Sequence, residues 1–201
     1  MSVPPAPPLL LASVSPQRRA ILEQLRIPFD DVAPRYEERP EEGDPVALVR
    51  AHALGKARSV ASQAGGRPVL GVDTDVVLDG RVLGKPTGPA EAERMLEALS
   101  GRTQEVISGL CLLTPGWEEV AHETTRVTFR ALTPRDIAHY VHEGEWRDRA
   151  GAYAIQGLGS ILIERMEGDL SNVIGLPVRL LLDLAPELLG PPAPRSADSN
   201  P

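Results

Sequence analysis

The first residues along the chain that could do chemistry are 13–19, which read Ser-Val-Ser-Pro-Gln-Arg-Arg. They follow an apolar run at 9–12 that predicts a strand, and they open a helical pattern in which Ser15 suits the N-cap and Pro16 the first helical position. Hydroxyl groups, guanidinium groups, free backbone N–H groups and the positive end of a helix dipole all favour an anion. The segment therefore predicts an anion site, with an ordinary capped helix carrying solvated arginines as the alternative.

Two carboxylates follow the apolar run at 69–72. Asp73 is predicted to end that strand, and Asp75 lies on the same face because side chains alternate along a strand. A carboxylate at the C-terminal end of a strand is well placed in a cleft, where it could hold Mg²⁺ or polarise a water. Asp75 is then a second metal ligand or a rim residue, and an Asp that caps a turn is the alternative for either position.

Three other charged residues do not indicate a functional site when each is considered alone. Lys56 lies within a predicted helix, Lys85 follows a predicted hairpin, and Glu38 belongs to the charge-rich stretch 36–44. No run of the form Gly-x-x-x-x-Gly-Lys-Ser/Thr occurs, so neither lysine belongs to a P-loop. Each of these side chains alone is typical of a solvated surface.

Small residues surround a single amide in the stretch 148–159. Glycine and alanine let a flat ligand approach the backbone, and Gln156 could donate to and accept from one edge of a base. A tight turn without a ligand accounts for the same local pattern.

The sequence does not indicate a metal site built on cysteine or histidine. Cys111 is the single cysteine and lies in the apolar run 109–113, so it is predicted to be a buried core thiol. No metal-ligand pairing is evident among the histidines, which are His52, His122, His139 and His142.

The elements that must position these residues alternate between strand and helix. A hairpin is predicted at Asp79-Gly80 and a turn at Pro115-Gly116. Strands are predicted at 9–12, 68–73, 104–113, 119–132, 151–155 and 161–165. Helices are predicted from Pro16, over 45–64 and 89–99, from a capping box at Thr133 to Gly144, and over 176–189 with an interruption at Pro186. This mixed order predicts an α/β or α+β domain with a mixed, strongly twisted sheet.

Length and charge restrict the function further. The 201 residues predict one domain over 9–189, with flexible Pro-rich tails at 1–8 and 190–201. A net charge of −7 disfavours a general nucleic-acid binder, so a polyanionic ligand would need a local basic cluster or a metal. No apolar segment is long enough for a signal or a membrane span, which predicts a cytoplasmic protein without a membrane partner.

Taken in order, these segments resemble the Maf family of nucleotide pyrophosphatases over nearly all of residues 9–184. Residues 13–19 are similar to the family's Ser-x-Ser-Pro-Arg-Arg signature, and Leu-Gly-Val-Asp-Thr at 70–74 is similar to its central Gly-Ala-Asp-Thr. Four further stretches follow the family pattern: Leu-Gly-Lys-Pro at 83–86, Leu-Ser-Gly-Arg-Thr at 99–103, the stretch 151–159, and Gly-Asp-Leu-Ser-Asn-Val-Ile-Gly-Leu-Pro at 168–177.

The resemblance implies an inosine triphosphate pyrophosphatase-like fold, which is an elongated twisted mixed sheet with flanking helices and two lobes around a central cleft. It implies hydrolysis of a nucleoside triphosphate to the monophosphate and pyrophosphate with a divalent cation, Mg²⁺ or Mn²⁺. By that similarity Asp73 is the proton acceptor or a metal-linked carboxylate, and Glu38 is a second acidic group at the metal. The phosphate contacts would come from Ser13, Ser15, Arg18, Lys56 and Lys85.

Substrate choice is also implied by the resemblance. Gln156 and its neighbours resemble the branch that acts on dTTP and UTP, whereas the branch acting on 7-methyl-GTP tends to carry Glu there. Gln156, Thr74 and Gln17 are therefore predicted to select the base. Gln17 departs from the Arg of that branch, and Asp75 departs from an apolar residue in the family.

Two alternatives remain open beside the pyrimidine prediction. One is the same chemistry on ITP, XTP or 7-methyl-GTP. The other is a non-catalytic nucleotide-binding regulator of cell division. A modified pyrimidine nucleotide as the physiological substrate and a homodimer are both compatible with the resemblance.

Overall fold

The computed structural model describes residues 8–38 and 43–190. The predicted tails at 1–8 and 190–201 lie outside these residues except for Pro8 and Gly190, so the flexibility predicted for them stays a prediction. Within the described residues, no helix combines the length and the apolar character that crossing a membrane requires.

The described residues form seven strands and six helices. The strands are β1 (Leu9–Ala12), β2 (Phe29–Val32), β3 (Val69–Leu78), β4 (Arg81–Leu83), β5 (Thr103–Thr114), β6 (Trp117–Phe129) and β7 (Ile163–Glu167). The helices are α1 (Pro16–Gln24), α2 (Pro45–Val60), α3 (Pro89–Leu99), α4 (Pro134–Glu143), α5 (Leu170–Ile174) and α6 (Val178–Leu184). Short 3₁₀ turns lie at Ala61–Gln63, Ala150–Ala152, Gly157–Leu162 and Pro186–Leu189.

The strands form a single mixed sheet in the order β2-β1-β3-β5-β6-β7, with β4 paired to β3. β1 runs parallel to β2 and β3, whereas β3 with β5, β5 with β6 and β6 with β7 are antiparallel. The mixed α/β class predicted from the order of elements is therefore confirmed.

Local capping determines where several helices begin and end. The side chains of Ser15, Asp44 and Thr133 each accept a hydrogen bond from a backbone N–H of the first turn, and a proline follows each of them. Thr133 forms the predicted capping box. Gly144 ends α4 with a left-handed φ of 79°, which a residue with a Cβ adopts at a cost.

Two glycines let α2 lie unusually close to the sheet. A Cβ built on Gly71 of β3 would overlap the carbonyl oxygen of Ala53, and one on Gly109 of β5 would overlap that of Val49. Since both carbonyls belong to α2, a side chain at either position would push the helix away. The close approach brings the side chains of α2 to the middle of β3.

The two largest clusters of the hydrophobic core among the described residues pack against different parts of the sheet. One cluster joins α1 and α6 to β1 and the first half of β3. Another joins α3 and α4 to the end of β3, the start of β5 and the end of β6. The polar segments described below lie between these two clusters.

Several predicted elements need correction. Asp73 does not end a strand, because β3 continues to Leu78 and stays paired with β5 as far as Val77. The predicted strand at 151–155 is wrong: Gly151 and Ala152 have left-handed φ values of 67° and 61°, which break an extended chain. The interruption predicted at Pro186 in the final helix is confirmed, since α6 ends at Leu184 and a 3₁₀ turn covers Pro186–Leu189, but the helix begins at Val178 and not at 176. The short elements β2 and α5 were not predicted.

Candidate active-site cleft

A cleft of about 990 Å³ opens between the two clusters. Its lining comes from the β1–α1 turn, the middle of β3, the residues after β4, the stretch after α4 and the residues at the end of α5. All ten side chains predicted for a site line this one cleft: Ser13, Ser15, Gln17, Arg18, Glu38, Lys56, Asp73, Thr74, Lys85 and Gln156. The fold thus brings together residues that lie far apart in sequence, and their roles stay predictions.

The centre of the cleft is a compact ion-pair cluster. The Nζ atom of Lys56 lies 2.5 Å from Oδ1 of Asp73 and 2.5 Å from Oε1 of Glu38. Burial raises the pKa of Asp73, but the charge and hydrogen bond of Lys56, together with Arg18 and His52, outweigh it and hold that pKa below its ordinary value. Asp73 is therefore ionised at neutral pH.

His52 belongs to this cluster although the sequence did not indicate it. Its Nδ1 atom lies 3.2 Å from Oδ2 of Asp73, and 11% of its side chain is exposed. Its ring also lies 5.8 Å from that of Tyr36, centroid to centroid. The signal that could have found it is its position one turn before Lys56, since residues four apart share a helix face.

The cluster has the donor set of a divalent-cation site. One donor atom from each of Glu38, His52 and Asp73 lies within 4.8 Å of the others. Carboxylate oxygens suit Mg²⁺ and Mn²⁺, and imidazole is a frequent ligand of transition metals. The residues present therefore fit a divalent cation, and Lys56 supplies positive charge between the same two carboxylates.

Asp75 lines the same cleft two residues beyond Asp73. Burial, and then the negative charge of Asp73, raise the pKa of Asp75 to about 6. The two carboxylates on one strand face are thus in different electrostatic environments. A positive ammonium holds the first ionised, while Asp75 has no ion-pair partner among the described residues.

Arg18 is held by three different parts of the chain. Its Nε donates to the Gly175 carbonyl at 2.8 Å, Nη1 to Ser13 Oγ at 3.1 Å and Nη2 to Thr74 Oγ1 at 3.2 Å. Burial lowers the pKa of Arg18, and the charges of Asp73 and Glu38 oppose that shift. The guanidinium is consequently fixed beside the N-terminus of α1.

Thr74 is hydrogen-bonded to Ser108, a residue that the sequence did not indicate as part of a site. Its Oγ1 lies 2.8 Å from Oγ of Ser108, which is fully buried on β5. With Arg18 donating to the same oxygen, the hydroxyl of Thr74 is oriented from two sides. Thr74 and Arg18 therefore form one hydrogen-bonded unit.

The opposite wall of the cleft includes Arg149, which was not predicted as a site residue. With the oxygen of the Gln17 amide turned toward Arg149, that oxygen accepts from Nη1 at 2.6 Å and from Nη2 at 2.9 Å, while the amide nitrogen donates to Ser15 Oγ at 3.0 Å. This orientation satisfies both ends of the amide. Gln17 thus connects the N-terminus of α1 to the stretch that follows α4.

The turn that carries Gln156 is fixed by two side chains of the α4 region. Glu145 accepts hydrogen bonds from the backbone N–H groups of Leu158 at 3.2 Å and Gly159 at 2.7 Å. The hydroxyl of Tyr140 accepts from the N–H of Ala154 at 3.0 Å. Gln156 itself is exposed at the rim of the cleft.

Comparison with known proteins gives matches over most of the chain. The family model described as "Maf-like protein" matches residues 8–188. Relatives that carry the name dTTP/UTP pyrophosphatase include the following three. The protein from Gloeobacter violaceus is 48% identical over 89% of this chain and 95% of its own length. The protein from Deinococcus radiodurans is 45% identical over 89% and 92%. The protein from Moorella thermoacetica is 50% identical over 85% and 89%.

Among solved structures, the Staphylococcus aureus Ham1 protein overlaps the chain with a TM-score of 0.43 and 16% identity. The overlap covers 61% of this chain and 72% of that one.

Proposed function

Because the chain belongs to the Maf-like protein family, we propose that it is a nucleoside triphosphate pyrophosphatase that hydrolyses dTTP and UTP to the monophosphate and pyrophosphate. In this role it would remove unwanted, including modified, pyrimidine nucleotides from the cell. A cytoplasmic location, a homodimer and the absence of a nucleic-acid partner stay predictions.

The observation that carries this proposal is the arrangement of charge in the cleft. An acidic cluster of Asp73 and Glu38 lies at its centre, while Arg18 and the N-terminus of α1 lie beside it. A triphosphate brings about four negative charges, and it binds an acidic protein where basic groups and a divalent cation offset them. The acidic groups that could hold a cation and the basic groups that could hold phosphate line the same cleft.

Asp73 and Glu38, with His52 beside them, would hold Mg²⁺ or Mn²⁺. Such a cation polarises phosphoryl oxygens and lowers the pKa of a bound water when it is present. Asp73 is ionised at neutral pH and its pKa is lowered, so it is a weak base. Its environment favours holding a cation or orienting a water over removing a proton by itself.

The reaction is a substitution at the α-phosphorus. The oxygen of a water forms a bond to that phosphorus as the bridging P–O bond toward the β-phosphate breaks, and the electron pair leaves with pyrophosphate. The water loses a proton to a carboxylate of the cluster or to solvent. Arg18, Ser13 and Lys85 are proposed to hold the phosphates, since hydroxyl, guanidinium and ammonium groups donate to phosphate oxygens.

Base recognition is proposed for the opposite side of the cleft. Gln156 lies at the rim and is followed by Gly157, whose left-handed φ of 66° turns the chain sharply. The amide can donate to and accept from a pyrimidine edge at once, and the turn that carries it is fixed by Glu145. A pre-formed turn loses little conformational entropy when the base binds.

The experiment is pyrophosphate release from UTP, dTTP, CTP, GTP, 7-methyl-GTP, ITP and XTP, each with Mg²⁺ or Mn²⁺. We expect metal-dependent release from UTP and dTTP that is lost in Asp73→Asn. Activity confined to purine nucleotides would retain the chemistry and reject the pyrimidine specificity. Nucleotide binding without any turnover would favour the regulator of cell division.

A further inference from the structure

Arg149 is a cleft residue whose positive charge is not paired with a carboxylate among the described residues. Its two terminal nitrogens meet the oxygen of the Gln17 amide, which is neutral. Among the residues that the structure describes, no carboxylate oxygen lies within 4.0 Å of Arg149. An arginine side chain stays protonated, so a full positive charge is presented to the cleft.

Two other cations of the cleft, Lys56 and Arg18, make more contacts with the protein. Lys56 contacts two carboxylates, and Arg18 uses Nε, Nη1 and Nη2 in hydrogen bonds with the protein. Arg149 differs from Lys56 because it contacts no carboxylate among the described residues, and from Arg18 because the Gln17 oxygen takes only two of its five N–H donors, whereas the protein takes three from Arg18. Arg149 therefore keeps N–H donors for a ligand, while its contact with Gln17 fixes the orientation of the guanidinium.

The backbone places Arg149 on the same wall as Lys85. The N–H of Gly151 donates to the carbonyl of Gly84 at 3.1 Å, which joins the stretch after Arg149 to the residue before Lys85. Lys85 is exposed and also lines the cleft. Two basic residues thus line the same part of the cleft, and one of them, Arg149, contacts Gln17 in the first turn of α1.

We propose that Arg149 binds the phosphate oxygens of the nucleotide and that Gln17 is the positioning residue that aims its guanidinium. The proposal rests on the pyrophosphatase function above and adds a binding residue to it. Phosphate is the matching ligand because a planar guanidinium donates two parallel hydrogen bonds to it. The neighbouring Ser15 and the N-terminus of α1 favour the same anion.

The test compares Arg149→Gln, Arg149→Lys and Gln17→Ala with the wild-type protein. We measure kcat and KM for UTP, and by calorimetry the Kd of inorganic tripolyphosphate, which has no base. A lost charge-assisted hydrogen bond predicts a rise in KM and in Kd of about 10- to 100-fold for Arg149→Gln, with kcat changed less. Arg149→Lys retains the charge and is expected to recover part of the affinity, while Gln17→Ala gives a smaller rise.

Arg135→Gln is the matched control, since Arg135 is an exposed arginine on α4 that does not line the cleft. It removes one positive charge from the protein and should leave KM and Kd unchanged. An equal rise in this variant would mean that net charge alone determines binding, and the proposal for Arg149 would then be wrong.

The remaining outcomes separate the two proposals. Wild-type protein that hydrolyses UTP, together with Arg149→Gln that binds tripolyphosphate as tightly as wild type, would reject the role of Arg149 and retain the enzyme. Wild-type protein that hydrolyses no nucleotide but loses tripolyphosphate binding in Arg149→Gln would reject the enzyme and retain the anion site. A fall in melting temperature with unchanged Kd would show that Arg149 only stabilises the fold.

Discussion

The Nζ atom of Lys56 lies 2.5 Å from the Oδ1 atom of Asp73, and only 9% of each side chain is exposed. The two residues belong to different elements, α2 and β3, and the same ammonium also reaches Glu38. Losing one partner of a buried ion pair is costly, because the remaining charge is left uncompensated. Because Lys56 pairs with two carboxylates, its charge is still paired when one of them is removed. Catalysis and stability can therefore be tested separately in variants of Asp73.

Replacing Asp73 by Asn should remove activity without unfolding the protein. We expect kcat/KM for UTP to fall by about 10²- to 10⁴-fold, because the carboxylate that holds the cation or orients the water is lost. The melting temperature should change little, since Glu38 still pairs with Lys56. Steady-state kinetics and thermal unfolding measure the two effects. Asp183→Asn, an exposed substitution on α6, is the control, and comparable activity in the two variants would contradict the role of Asp73.

Removing the imidazole of His52 should weaken binding of a divalent cation. His52 lies 3.2 Å from Asp73 and either contributes a ligand atom or fixes the carboxylate, and loss of such a group costs about 10- to 100-fold in metal affinity. Electron paramagnetic resonance of free Mn²⁺, without substrate, gives the affinity of His52→Ala directly. His139→Ala removes an exposed histidine of α4 and should bind as wild type. Equal affinity in both variants would exclude His52 from the metal site.

A methyl group at position 109 should separate α2 from the sheet. The Cβ of Gly109→Ala would overlap the Val49 carbonyl oxygen, so the backbone must shift to make room. Such overpacking lowers the free energy of unfolding by about 1–3 kcal/mol. Activity should fall too, because the displaced helix carries Lys56 and His52. Gly43→Ala is the comparison, since its Cβ meets nothing within 4 Å. Denaturant unfolding and UTP hydrolysis test this prediction, which fails if the two alanine variants behave alike.

The thiol of Cys111 should be unreactive in the folded protein. Burial raises the pKa of Cys111 to about 12, so at pH 8 the native thiol is protonated and covered by the core. We expect a disulfide reagent to label it only after denaturation, and because it is the single cysteine the signal is unambiguous. Rapid labelling of the native protein at pH 8 would contradict its burial.

The same thiol predicts how stability depends on alkaline pH. In the unfolded chain it ionises near its ordinary pKa of 9.0, whereas in the folded state it stays protonated to about 12. The unfolded state therefore loses its proton first, and the free energy of unfolding should fall as the pH rises from about 9 to 12. Cys111→Ala, which has no thiol to ionise, should show less of this fall in thermal unfolding.

The start of α1 and the strand before it could be predicted because their signals are local. Ser15, Pro16 and the apolar run at 9–12 determine a strand, a cap and a helix within a few residues of each other. The same holds for the capping box at Thr133. The end of β3 could not be predicted, because Asp73, Thr74 and Asp75 look like a turn until β5 pairs along them.

The sequence by itself determined the family resemblance, the mixed α/β class and the candidate residues, since these depend on residue types and short spacings. Only the tertiary structure decided which of those residues meet. His52 reaches Asp73 because Gly71 and Gly109 let α2 approach the sheet, and Arg149 reaches Gln17 because the two walls face each other. Such contacts depend on the packing of elements distant in sequence, and no local pattern records that packing.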